Sequence, residues 1–142
     1  MDLRKLVQDY LIQTHMLHLA TVHDNQPWSA TVYFASDIDL NLYWLSSTNT
    51  RHSQNISKNS RVSGSIVLPH TYGNKLRGLQ LQGNARQLFD EEANQGFNVF
   101  KTKFWVVERP GDTHSCYQLK PSNFILNDEV NFPENPIQEL KV

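Results

Sequence analysis

Leu42-Tyr43-Trp44-Leu45, then Ser46-Ser47-Thr48-Asn49-Thr50-Arg51-His52-Ser53-Gln54-Asn55, then Val62-Ser63-Gly64-Ser65-Ile66-Val67-Leu68: this run decides the fold. Its two apolar ends read as strands. The ten residues between them all carry hydrogen-bonding side chains, and they lead into one short helix spanning roughly residues 50–58. A helix N-terminus presents unpaired backbone N–H groups and a partial positive charge, so it can receive an anion. Arg51 adds a planar fork of donors suited to two phosphate oxygens, and His52 adds further donors. The run therefore reads as a cradle for a phosphate monoester. An ordinary solvated loop with a helix cap is the competing reading of the same residues. Against it stands the weak helix propensity of Ser, Asn and His, with Ile56 nearly the sole apolar residue available to dock the segment.

Upstream, Leu3, Leu6, Val7, Tyr10 and Leu11 recur at helical spacing behind Asp2 as cap. Residues 16–22 turn strand-like, and His23-Asp24-Asn25-Gln26-Pro27 makes a turn into a second strand. There Trp28, Ala30, Val32 and Phe34 alternate with Ser29, Thr31, Tyr33 and Ala35, as a half-buried strand requires. Downstream, residues 69–75 read as a long hairpin loop and residues 76–88 as a long strand. A helix follows, capped by Asp90, with Ala93, Phe97, Phe100 and Phe104 on one face. Residues 104–112 read as an irregular aromatic segment. Residues 115–119 and 124–126 read as a final strand broken at Pro121, with a tail from Glu129 extended against a neighbour or loose. The expected architecture is mainly β: a six-stranded antiparallel barrel with flanking helices, one domain over residues 1–128 and a tail over 129–142.

Thirteen basic against fourteen acidic side chains leave a formal charge of -1 without blocks of like charge, which argues against nucleic acid or an acidic membrane as main partner. One cysteine, Cys116, excludes an internal disulfide framework and the usual zinc patterns. His15 and His18 straddle a helix exit without a carboxylate or thiol nearby, so no metal site is expected. Neither a signal peptide nor an apolar run of membrane-spanning length is visible, and a cytoplasmic protein is expected. No phosphate-loop, dinucleotide or nucleophile-elbow motif occurs, and nothing sets a nucleophile beside a base. Trp28, Trp44 and Trp105 read most simply as core or interface residues. Trp105, in the irregular segment, is the best placed of the three to meet a planar ligand.

Taken in order, these elements resemble the FMN-binding split-barrel superfamily typified by pyridoxamine 5'-phosphate oxidase. The likeness covers about residues 3–128. Gln26-Pro27-Trp28 resembles the family's Gln-Pro-aromatic start of the second strand, and Leu45-Ser46 sits where the family has Tyr-Thr beside the flavin. Thr50-Arg51-His52 resembles its Ser-Arg-Lys phosphate clamp, and Asn59-Ser60-Arg61-Val62-Ser63 its Asn-Pro-Arg-Val-Ser. The resemblance implies a homodimer holding FMN in two clefts between subunits. Ala30, Thr31, Val32 and Tyr33 would line the isoalloxazine, largely through backbone groups. Ser46 and Ser47 would meet the ribityl chain or ring edge, and Thr50, Arg51 and His52 the phosphate. Gln80 substitutes for a family glutamine whose aligned position is Gly78, and Tyr33 and Trp105 are candidates for the ring face. Several departures count against pyridoxamine phosphate as substrate. Ala30 and Ala35 replace basic residues, His52 replaces a lysine, and the oxidase's Arg-Leu-Ala-Pro ending and substrate-binding Arg and His are absent. The expected function is an FMN-dependent oxidoreductase of unknown substrate, with no catalytic residue assigned. The alternative is a non-enzymatic module that stores or senses flavin or haem in the same cleft.

Overall fold

The computed structural model describes residues 1–105 and 114–142. Its elements run α1 (Leu3–Gln13), β1 (Met16–His23), β2 (Gln26–Tyr33), β3 (Ala35–Ser36), β4 (Leu42–Ser47), α2 (Arg51–Lys58), β5 (Arg61–Val67), β6 (Arg77–Gln87), α3 (Asp90–Lys101), β7 (His114–Asp128) and β8 (Ile137–Lys141). The six expected strands are present. The two-residue β3 and the tail strand β8 bring the described sheet to eight, all pairings antiparallel.

Local chemistry accounts for most boundaries. Asp2 accepts the Lys5 N–H at 3.2 Å and starts α1. Asp24 and Asn25 both have positive φ, 50° and 60°, which the two-residue turn between β1 and β2 requires and which Asp and Asn tolerate. Thr50 caps α2 by accepting the Ser53 N–H at 3.2 Å. The expected cap of α3 is corrected. Asp90 is already inside the helix with φ 53°, Phe89 holds the cap position, and no side chain bonds there. Asp90, Glu91 and Glu92 instead favour the helix start through its dipole.

The sheet order is β2-β1-β5-β6-β7-β4-β3. Its first and last members are neighbours in sequence: β2 ends at Tyr33, β3 begins at Ala35, and buried Phe34 alone joins them. The sheet must therefore curl until its two ends meet. Closure is partial. β3 pairs only Leu42 and Tyr43 of β4, while β2 pairs only β1, so β2 and the outer half of β4 diverge from the seam. That divergence is the split of the barrel. Leu17, Leu19, Phe34, Leu42, Trp44, Leu79, Leu119, Phe124 and Leu126 fill the interior.

α2 packs against β1, β2 and β6, and α3 packs outside against β3, β4 and β7. Gly96 lets α3 approach closely, for a Cβ there would lie 2.8 Å from Cys116 Sγ and Leu88 Cδ1. β7 runs unbroken through Pro121, where the expected break is replaced by a register shift opposite Gln82 and Gly83. The tail folds back as β8 on the half of β7 that β4 leaves uncovered.

Asp128, fully buried where β7 ends, ties that tail to α1. Its carboxylate accepts the Tyr10 hydroxyl (2.5 Å), the Asn131 side chain (2.8 Å) and the N–H groups of Val130 and Asn131. Burial pushes its pKa up. The bonds from Asn131, Tyr10 and Val130 outweigh that and hold it below the usual carboxylate value. The resulting stability is fully present above about pH 4, the unfolded value, and is lost as pH falls through the folded value. Asp128→Asn is expected to lower stability at pH 7 by about 1.5–3 kcal/mol and to flatten the acid limb of thermal unfolding against pH. An unchanged acid limb would count against this assignment.

Candidate functional site

Two walls flank the split. The first is the outer edge of β2. Phe34 donates its N–H to the His15 carbonyl at 3.1 Å, which sets the phase of the ladder. Even-numbered residues of β2 bond inward to β1, and Ser29, Thr31 and Tyr33 turn N–H and C=O groups outward. Pro27 falls on that same outward set, where a missing N–H costs no ladder bond. Ala30 and Val32 point their side chains into the barrel, and Thr31 and Tyr33 point theirs to the outer face.

The second wall is the end of β4 with the start of α2. Ser46 and Ser47 belong to β4 itself, and Ser46 faces inward and is buried. Its Oγ is 2.9 Å from His52 Nε2, with Thr50 Oγ1 3.3 Å from the same nitrogen. His52 thus turns into the protein. Burial pushes its pKa below the ordinary value and favours the neutral ring. It brings hydrogen bonding to the site but no positive charge at neutral pH. Thr50 stands within hydrogen-bond distance of the Ser47 carbonyl (3.0 Å) and Ser53 Oγ (2.7 Å) while capping α2, and Gln54 Nε2 donates to the Thr48 carbonyl at 2.7 Å. The cap engages only the Ser53 N–H, so the first-turn N–H groups of Arg51 and His52 remain helix-end donors.

Arg51 is exposed. Its guanidinium carbon lies 4.1 Å from the centroid of the Trp28 ring, across from α2 on β2. The predicted phosphate donors and the predicted ring-lining strand therefore meet at one end of the split, through Trp28. Trp28, read from the sequence as a core or interface residue, is 41% exposed in the single chain and so is not a core residue. An aromatic residue directly after an edge-strand proline was the available signal.

At the seam end, Phe104 packs edge-on against Tyr33 (5.5 Å between centroids) and His15 (5.9 Å), and stacks on Phe100 (4.7 Å). Lys103 anchors this group. Its Nζ donates to the carbonyls of Leu11 (2.8 Å) and Thr14 and lies 4.3 Å from the Phe34 ring centroid. Burial pulls its pKa down to about 8. Trp105 is 82% exposed, and the rest of the irregular segment, 106–112, lies outside the described residues.

Gln80 is not brought to the split within one chain. Cross-strand pairing places it in a row with Ser65, His18 and Thr31 on the outer face. A concavity of about 650 Å³ lies on that face, lined by hydroxyl and amide side chains together with His18, Ala20 and Ile125. Trp44, expected in the core or at an interface, is buried in the core, and Cys116 is buried as well. Among the described residues no group of three or more His, Cys, Asp or Glu side chains could hold a metal ion. Among the described residues no helix is long and apolar enough to cross a membrane.

Comparison with known proteins agrees with this geometry. The UPF0306 protein PM1958 of Pasteurella multocida is 31% identical over 103 residues, covering 72% of this chain and 69% of the relative. Among solved structures, the heme binding protein from Mycobacterium smegmatis superposes with TM-score 0.81 at 14% identity, over 99% of this chain and 58% of that one, so this chain spans little more than half of its length. A putative pyridoxamine 5'-phosphate oxidase from Listeria innocua gives TM-score 0.71 at 19% identity, over 88% of this chain and 98% of the other. These likenesses show the fold. The family model described as pyridoxamine 5'-phosphate oxidase matches residues 3–122, and the chain belongs to that family.

Proposed function

We propose that the protein binds FMN at the split and works as a flavin-dependent oxidoreductase, as a homodimer in the cytoplasm. The observation that carries this reading is the pairing of two chemistries across one opening. A β2 edge with free N–H and C=O groups suits the alternating donors and acceptors of a flavin ring edge. A helix start bearing Arg51 suits a phosphate. Family membership supports the same ligand. When bound, the flavin supplies the redox chemistry.

The chain's own residues bind and orient it. Thr31 and Tyr33 offer backbone groups to the ring edge, and Ser47 and Ser46 flank the passage to the phosphate. Thr50 and Arg51 hold the phosphate, and His52 acts as a neutral support for Ser46. The outer face bearing Gln80 is where the second protomer docks, bringing that residue to the partner's flavin. The substrate differs from pyridoxamine phosphate, for the reasons Ala30, Ala35 and His52 give.

The likeness to the Mycobacterium smegmatis heme binding protein favours one second reading, haem storage or sensing on the same fold. An absorbance scan of the purified protein, with mass analysis of any released ligand, separates the two. Flavin bands with FMN in the supernatant, bleached by NADH or NADPH and restored by an acceptor, support the enzyme. A Soret band supports the second reading. A colourless protein that takes up neither added ligand overturns both.

A further inference from the structure

Two rungs connect α2 to the β1–β2 hairpin. Asn55 donates from Nδ2 to Thr21 Oγ1 at 3.0 Å, between buried side chains. Arg51, one turn earlier on the same helix face, lays its guanidinium over Trp28. Thr21 and Trp28 are themselves cross-strand partners and share the inward face of the sheet. The helix is thus registered against the hairpin by a buried hydrogen bond, and the Arg51 stem leaves it one turn away, directed at the ring.

Among the described residues no carboxylate lies within ion-pair distance of Arg51. Its charge is met by an aromatic face, and that contact is chemically distinct from an ion pair. The Trp28 ring meets the guanidinium 4.1 Å from its carbon and, being an aromatic face, sets no acceptor oxygen on the guanidinium N–H groups. An acid partner would consume those same N–H groups. The arrangement limits the rotamers of a long, exposed side chain and keeps the donors that a phosphate reads bidentately.

We propose that Trp28 is a positioning residue whose ring aims Arg51, making the site selective for a ligand that ends in a phosphate monoester. The inference rests on the flavin reading above and adds to it the residue that sets phosphate discrimination. It concerns the phosphate alone, so it predicts an effect on FMN that riboflavin, the same ring and chain without phosphate, does not share.

The test is equilibrium dialysis of the purified protein against FMN and, separately, riboflavin, for wild type, Trp28→Leu and Trp28→Phe, with far-UV circular dichroism to confirm folding. Trp28→Leu is expected to raise the Kd for FMN about three- to tenfold, the range of a partly exposed cation–π contact, while leaving the Kd for riboflavin unchanged. Trp28→Phe is expected to restore most of the loss. A merely structural tryptophan would weaken both flavins together. Equal weakening, no change, or tighter FMN binding in Trp28→Leu overturns the proposal while leaving the flavin reading intact. Should Trp28→Leu fail to fold, Trp28→Gln against Arg51→Ala in a double-mutant cycle decides it: each change removes the contact, and the absence of coupling for FMN overturns the proposal. Wild-type protein that binds neither flavin removes the underlying reading, and this inference with it.

Discussion

Arg51→Ala is expected to raise the Kd for FMN about 10- to 150-fold, the equivalent of about 1.5–3 kcal/mol for a hydrogen bond to a charged group. Of the two basic-type side chains in Thr50-Arg51-His52, the imidazole is turned inward onto Ser46, and burial disfavours its protonated form. What remains for a phosphate is the α2 start, its capping Thr50 and one guanidinium. Deleting the sole full charge in that set should therefore cost more than it would in a site holding two cations. Arg51→Lys is expected to recover part of the loss, since an ammonium keeps the charge but lacks the planar fork. Riboflavin should be indifferent to both changes. FMN affinity unchanged in Arg51→Ala would remove the phosphate from this end of the split.

The second large effect concerns the frame that holds the walls apart. Trp44 is fully buried, stacks nearly parallel on Tyr117 (8°, 5.9 Å between centroids), and precedes Ser46 by two on the same inward face of β4. Trp44→Ala is expected to destabilise the fold by about 3–5 kcal/mol, through lost transfer energy and the cavity left behind. Trp44→Phe should behave differently. The indole N–H is buried, with no hydrogen-bond partner among the described residues, and a buried donor in that condition costs about 1–3 kcal/mol. Phenylalanine removes that cost along with some volume while keeping a ring against Tyr117, so the net loss should stay near about 1 kcal/mol. Urea unfolding of the three proteins measures both differences. A phenylalanine variant as unstable as the alanine one would show that the indole nitrogen is satisfied in the folded protein.

How much of this was legible in the sequence depended on the range of the interaction. Asp2, Thr50 and the Asp24-Asn25 turn act within a few residues, and their signatures sit side by side in the chain. The helix from Arg51 to Lys58 was readable for the same reason. His52 was not. It lies in a uniformly polar run, and only Ser46, six residues away on the end of β4, draws it inward. Gln80 was assigned by chemical type, whereas its face is set by pairing across three strands. β8 has too little apolar content to announce a strand. It forms because β4 covers only residues 114–119 of β7, leaving backbone groups further along that strand to be met. In each case the missing information was the identity of a distant neighbour.

The seam at Phe34 bears on the order in which the molecule can assemble. β1 and β2 meet across a two-residue turn and lose little chain entropy in doing so, whereas Leu42 of β4 must find Leu119 of β7 at the far side of the sequence. One uninterrupted segment, 26–36, takes part in the nearby pairing with its first eight residues and borders the remote one with its last two. The cylinder consequently cannot be completed by neighbours zipping in turn. The two walls of the split acquire their final spacing only when β4 and β7, the paired strands furthest apart in the chain, have joined.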